Sequence, residues 1–106
     1  MPSALIDTST DDDEIIAAPG TSKQIQLLGW NITADGTVVV EFKSGSTVLW
    51  KTYAMNNDTV KGGIVVPLSP DRDLFVDANT PLTIGLSDAV AVAGSIEYAI
   101  VGPSNV

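Results

Sequence analysis

Alternating apolar and polar residues, grouped in short runs between turn-forming residues, fill the chain from Ile15 onward. A period of two places successive side chains on opposite faces of a β-strand. The runs recur about every eight to twelve residues, a spacing typical of sandwiches and barrels. We therefore predict an all-β domain. The expected strands cover residues 14–18, 23–33, 37–43, 47–53, 62–68, 74–76, 81–87 and 95–101.

The phase of the alternation predicts which residues face the core. The expected core residues are Val38, Val40, Phe42, Leu82, Ile84, Leu86, Ile96, Tyr98 and Ile100. In the fourth expected strand two phases are open, Val48 with Trp50 or Leu49 with Tyr53. Lys51 shares the second phase and favours an outward position for Leu49 and Tyr53.

Glycine and proline mark the turns and irregular points of these strands. The alternation slips beside Gly29, and a β-bulge there would restore a continuous inward face. Asp35-Gly36 predicts a hairpin, because this pair tolerates the positive φ angles that match strand twist. Ser44-Gly45-Ser46 turns the chain again. Pro67 cannot donate to a β-ladder, so it confines its strand to a sheet edge or to a strand end.

The first fourteen residues differ from the rest and predict an extended arm at residues 1–14, ahead of a domain at residues 15–106. Leu5 and Ile6 are adjacent large apolar residues that could dock in a groove or add to a sheet edge of a neighbouring subunit. They are followed by an acidic run that would meet solvent or a basic rim. The run consists of Asp11, Asp12, Asp13 and Glu14.

About eight antiparallel strands is the number expected of a jelly-roll β-sandwich, in which two sheets are wound as two Greek keys. An immunoglobulin-like sandwich is the main alternative. The sequence lacks the Cys-Trp-Cys spacing that would favour it.

The composition limits the classes of partner. The chain has 106 residues, the size of one domain, and a net charge of −8. Such acidity disfavours binding to nucleic acid and to anionic membranes. The start of the sequence has no pattern of a signal peptide, and no apolar run approaches the ~20 residues of a membrane span, so we expect synthesis in a reducing cytoplasm.

The residue types also limit the chemistry. The chain contains no histidine and no cysteine, which removes catalytic triads, thiol nucleophiles and the usual zinc ligands. We therefore expect no enzyme activity and no cofactor. A carboxylate pair among Asp71, Asp73 and Asp77 is the remaining catalytic possibility, although it would need a substrate cleft. The acidic run at 11–14 could bind calcium, but it lacks the spaced ligands of an EF-hand loop and is better explained as a solvated segment.

Three further features point to protein contacts. Arg72, between two aspartates, could form an ion pair in an interface or within its own loop. Trp30 and Trp50 favour core or subunit-interface packing over a sugar-stacking platform, because each lies in an apolar strand. Several apolar residues are expected on outer strand faces, which predicts a surface covered by oligomerisation. These residues are Val39, Leu49, Tyr53 and Val101.

Residues 17–101 resemble a known family. The motifs that carry the resemblance are Ala17-Ala18-Pro19-Gly20-Thr21-Ser22-Lys23, Phe42-Lys43-Ser44-Gly45-Ser46-Thr47, Gly62-Gly63-Ile64-Val65-Val66-Pro67-Leu68 and Leu82-Thr83-Ile84-Gly85-Leu86-Ser87. They are similar to turns and strands of the small jelly-roll decoration (cement) proteins on the heads of tailed bacteriophages. The resemblance implies a homotrimer on the outer capsid surface of the virion, bound to the major capsid protein and made in the bacterial host cytoplasm. The alternative is a carbohydrate- or receptor-binding module of a phage tail or baseplate.

Overall fold

A computed structural model describes residues 2–54, 62–69 and 72–102. Within these residues the chain forms eight β-strands and no helix. This agrees with the prediction of an all-β chain of about eight strands. The strands are β1 (Ser3–Thr8), β2 (Asp13–Ile16), β3 (Gln24–Ala34), β4 (Val38–Ser44), β5 (Thr47–Ala54), β6 (Gly62–Val66), β7 (Leu82–Leu86) and β8 (Val92–Val101).

The strands build two antiparallel four-strand sheets. The order in the first sheet is β1-β8-β3-β6, and the order in the second sheet is β2-β7-β4-β5. Every connection except β4–β5 therefore carries the chain from one sheet to the other. As Pro67 predicted, β6 ends at Val66 and lies at a sheet edge.

One hydrophobic core fills the space between the inner faces of the two sheets. The expected inward residues of β4 and β7 are buried there, as is Ile96 of β8. The rings of Phe42 and Trp50 stack with centroids 5.1 Å apart, and Trp30 meets both edge-on. The packing of both tryptophans is thus confirmed, and burial leaves no open Trp30 face for a sugar. Ile100 differs from the prediction, being 43% exposed near the end of β8.

The bulge predicted beside Gly29 is confirmed. The pairing of β3 with β8 shifts register between Leu27 and Gly29, so inward residues before and after the bulge reach the same core. A side chain at Gly29 would also be excluded, because its Cβ would lie 2.8 Å from the Cα of Leu68. Glycine here allows the chain beyond β6 to cross closely over β3.

A second bulge corrects the predicted phase of β5. Trp50 pairs with Phe42 but Val48 pairs with Lys43, leaving Leu49 between the two pairs. Leu49 consequently packs against the core, whereas Val48 is 44% exposed. The prediction of an outward Leu49 was wrong because it assumed an unbroken alternation.

The expected N-terminal arm is not confirmed. Residues 3–8 form β1, which pairs with β8 along its length, from Ser3 opposite Glu97 to Thr8 opposite Val92. Ile6 is fully buried in the chain's own core, so it is not available to a neighbouring subunit. Two apolar neighbours on a strand face opposite ways, and only Leu5 faces solvent.

The turn at Asp35-Gly36 is a corner between the sheets, not a hairpin, since β3 and β4 do not pair. The Asp35 N–H donates to the Ala91 carbonyl at 2.8 Å, which fixes this corner against the segment leading into β8. The hairpin of the second sheet joins β4 to β5, where Gly45 has a φ of +62°.

The expected strand at 74–76 is reduced to one bridge, between Phe75 and Gln26. The flanking hydrogen bonds, Leu27 N–H to Leu74 O and Val76 N–H to Ile25 O, are both 2.9 Å long. This segment thus continues the edge of the first sheet beyond the end of β6.

Candidate interaction surfaces

The outer face of the first sheet carries one row of four side chains across its four strands. Leu5 of β1 pairs with Ser95 of β8, Ser95 with Asn31 of β3, and Asn31 with Val65 of β6. Leu5 is 74% exposed and Val65 is 76% exposed. Between them, the Asn31 side-chain amide donates to Ser95 Oγ at 3.0 Å. The row therefore has an apolar side chain at each sheet edge, and the two polar side chains between them hydrogen-bond to each other.

Charged residues are sparse in the first sheet. Its four strands contain two carboxylates, Asp7 and Glu97, and neither Lys nor Arg. The register places Asp7 opposite Ala93 and Glu97 opposite Ser3, on the same outer face as Leu5. This face is thus uncharged or acidic.

A shallow depression of about 350 Å³ lies beside the Leu5–Val65 row. Asp7, Ala93 and Thr33 form the next row along the strands, one side-chain repeat or roughly 7 Å away. The remaining lining residues are Ala34, Asp35, Ala91 and Val92. Its surface is mostly aliphatic, with two aspartates among the lining residues.

The outer face of the second sheet is charged, and both of its lysines pair with carboxylates of the same chain. Lys43 Nζ lies 2.8 Å from Asp12 Oδ1, and Lys51 Nζ lies 3.7 Å from Glu41 Oε2. The Lys43 side chain crosses β7 at Gly85, where an added Cβ would approach Lys43 Cε to 2.9 Å. These groups border a second depression of about 280 Å³, lined by Asp11, Val39, Glu41, Lys43, Lys51, Leu86 and Ser87.

The hydrogen bond that Lys43 Nζ donates to Asp12 Oδ1 is the main reason that the pKa of Lys43 lies above its usual value of 10.5. The charges of Asp12, Asp11 and Glu41 act in the same direction, and partial burial opposes them. Lys43 is therefore held as a cation on this face throughout the neutral range.

The first two residues of the acidic run have structural roles in the turn between β1 and β2. Asp11 Oδ1 accepts a 2.8 Å hydrogen bond from the Leu86 N–H. Asp12 has a φ of +60° and holds Lys43. Asp13 and Glu14 begin β2, where Glu14 is exposed. Among the described residues, no group of three or more His, Cys, Asp or Glu could hold a metal ion.

Arg72 binds main-chain carbonyls. Its Nε donates to Leu28 O at 3.0 Å, its Nη2 donates to Pro67 O at 2.7 Å, and the guanidinium lies 5.4 Å from the Trp30 ring centroid. Planar, multiply donating Arg suits such a role. These contacts fasten the segment after β6 to β3, and an ion pair of Arg72 in an interface or in its own loop stays a prediction. Asp71, the preceding residue, lies outside the described residues.

Of the residues predicted to make subunit or capsid contacts, Leu5 fits best. Val39 and Val101 are half-buried on outer faces of different sheets, and so do not form one surface. Tyr53 is placed by its backbone opposite Val39. Val65 was not among the predicted contact residues. Its strand is an apolar run that ends in proline, which predicts a sheet edge, and the alternation of side chains along such a strand directs one of its valines outward.

Comparison of the chain with protein-family models, curated proteins and solved structures finds no match. The described residues contain no helix that could span a membrane.

Proposed function

We propose that the two sheets form a jelly roll. The support is the strand order, β1-β8-β3-β6 facing β2-β7-β4-β5, with the chain alternating between sheets at all connections but one. Eight strands wound as two Greek keys have this alternation. The immunoglobulin-like alternative pairs its first two strands in one sheet, whereas β1 and β2 lie in different sheets here.

We propose further that the protein is a structural, non-enzymatic virion protein: a head decoration protein of a tailed bacteriophage, made in the bacterial host cytoplasm. It binds the major capsid protein on the outer capsid surface and stabilises the shell. The observation that carries this proposal is the outer face of the first sheet, where Leu5 and Val65 are three-quarters exposed on a surface with few charges. Covering exposed apolar side chains with a partner lowers the free energy. The sequence resemblance supplies the partner.

Shell binding is tested by adding the purified chain to phage shells that lack it and weighing the particles by native mass spectrometry. Decorated shells should gain a fixed number of copies and release their genome at a higher temperature than bare shells. If the copies bind but the release temperature is unchanged, the stabilising role fails. If no copies bind, the decoration role fails as a whole.

The homotrimer is a separate part of the proposal. It is supported by apolar residues outside the first-sheet face that are also left in solvent, Val48 at 44% and Leu68 at 48% exposure. Sedimentation at micromolar concentration should give a trimer, with a melting temperature that rises with concentration. A monomer with a concentration-independent transition would exclude it.

A carbohydrate- or receptor-binding module is the second candidate. The polar depression on the outer face of the second sheet favours it, because carboxylates, ammonium groups and the Ser87 hydroxyl can hydrogen-bond to sugars. Glycan-array binding that is lost on Lys51→Ala, together with no shell binding, would establish this candidate instead.

A further inference from the structure

The exposed Leu5–Val65 row on the first sheet could be covered by a second copy of the chain or by a different protein. The charges of the sheet discriminate between these two partners. If the first sheets of two copies packed face to face, the Asp7 and Glu97 carboxylates of each copy would approach the acidic face of the other. The four strands offer neither Lys nor Arg to receive them. Like charges without counter-charges oppose such a contact.

The outer face of the second sheet on a neighbouring copy is a poorer match as well. Its lysines are already engaged, Lys43 with Asp12 at 2.8 Å and Lys51 with Glu41 at 3.7 Å. Recruiting either one would require breaking an ion pair within the chain. The net charge of −8 adds repulsion between copies at longer range.

The depression beside the row has the chemistry of a site for one cationic side chain. Ala91 and Ala93 provide an aliphatic surface for the methylene stem of a Lys or Arg, and Asp7 lines one side of the depression with a carboxylate. Long basic side chains are bound in this manner, with the stem against apolar groups and the charged head near an acid. The depression lies one side-chain repeat from the Leu5–Val65 row, so a single partner surface can cover both.

From these observations we infer that the outer face of the first sheet docks on a different protein, whose contact surface is apolar and basic. Leu5 and Val65 cover its apolar groups, and one of its Lys or Arg side chains enters the depression at Asp7. This inference rests on the proposed function, and on a phage head the partner would be the shell itself.

The apolar part is tested by measuring the affinity of bare shells for Val65→Asp and Leu5→Asp. The matched control is Thr47→Asp, which also places a carboxylate at an exposed position on a sheet-edge strand, but in the second sheet. Each first-sheet variant should bind at least about tenfold more weakly than the control, the ratio that corresponds to loss of one well-packed apolar contact. Val65→Ala and Leu5→Ala, with near-ultraviolet circular dichroism, show whether a weaker affinity reflects misfolding.

The basic part is tested with Asp7→Lys against Glu14→Lys, which changes the net charge equally on the second sheet. Asp7→Lys should lose roughly tenfold or more in affinity and Glu14→Lys less than about threefold. The wild-type affinity should fall with added salt, and the slope should be reduced in Asp7→Lys.

Four results separate the outcomes. Wild type failing to bind shells removes the proposed function and this inference with it. Wild-type binding with Val65→Asp equal to Thr47→Asp overturns the inference and leaves the function intact. Loss of self-association in Val65→Asp or Leu5→Asp, seen by sedimentation without shells, would assign the face to a second copy and also overturn it. Asp7→Lys binding as tightly as Glu14→Lys would overturn the basic character of the partner.

Discussion

The two sheets share one core but present opposite outer surfaces. On the second sheet, both lysines of the strands meet carboxylates of the same chain, so its cations are paired within the molecule. On the first sheet, Leu5 and Val65 remain in solvent beside carboxylates with no basic residue in the same strands. Covering exposed apolar side chains with a partner lowers the free energy, whereas lysines that are already paired within the chain offer a partner little to gain. The contrast therefore indicates which face a partner would cover.

Two glycines provide the sharpest stability test of this contrast. Gly94 of β8 has a φ of +156°, and a Cβ there would overlap the carbonyl oxygen of Asn31 in the neighbouring strand. Gly85 of β7 faces only the flexible end of Lys43 and Glu41 Oε1. We expect Gly94→Ala to cost more than about 4 kcal/mol, since rigid backbone must move, and Gly85→Ala to cost less than about 1 kcal/mol. Urea unfolding of both variants measures the difference, and equal costs would contradict the sheet geometry.

The adjacent residues Leu5 and Ile6 test whether β1 belongs to the first sheet. Ile6 is fully buried and Leu5 is 74% exposed. Ile6→Ala should destabilise the fold by about 2–5 kcal/mol, whereas Leu5→Ala should stay within about 0.5 kcal/mol. Thermal unfolding of the two variants provides the measurement. A free arm would give two equally small effects.

Arg72 fastens the segment after β6 to the first sheet by hydrogen bonds to main-chain carbonyls. Arg72→Ala removes donors to Leu28 O and Pro67 O together with the contact to Trp30. The expected loss is about 1–3 kcal/mol in chemical unfolding, with a change in Trp30 fluorescence. Arg72→Lys keeps the charge but not the planar fork, so it should recover less than half of the loss. Full recovery by lysine would mean that charge alone matters here.

Lys43 on the second sheet should have the smallest effect. Lys43→Met should cost no more than about 1 kcal/mol at neutral pH, because the pair with Asp12 is partly exposed. The folded-state pKa is raised above 10.5, so the contribution is complete below pH 10.5 and is lost as the pH rises through the raised value. The stability difference between wild type and Lys43→Met should therefore stay constant up to about pH 10 and then shrink. A difference that already falls between pH 7 and 9 would contradict the assignment.

Local pattern was sufficient where a strand keeps its alternation. The inward residues of β4 and β7, the edge position of β6 and the bulge at Gly29 all follow from spacing and from the properties of glycine and proline. These features depend on neighbours in sequence, which is why the sequence contained them.

Features that depend on distant partners were missed. The residues around Ile6 do not predict that this segment pairs with β8. The pairing joins residues about ninety positions apart in the chain, such as Ile6 and Gly94. The Asp35-Gly36 corner has the same composition as a hairpin, and only the separation of β3 and β4 into different sheets distinguishes the two. Leu49 was misplaced by a bulge without a glycine to mark it. The candidate interaction surface shares this origin, since Leu5, Ser95, Asn31 and Val65 meet only through three strand registers.

The position of β8 also sets an order of events during synthesis. It lies between β1 and β3, so it completes two ladders of the first sheet although it is synthesised after the other seven described strands. Until then, β1 and the neighbouring edge of β3 lack their partner, and the core residues of both strands are only partly covered. Loop closure over most of the chain is slow, and unpaired strand edges attract other chains meanwhile. Folding of this domain therefore cannot finish before β8 has been synthesised, and its yield in the cell should depend more on temperature and expression rate than its final stability would suggest.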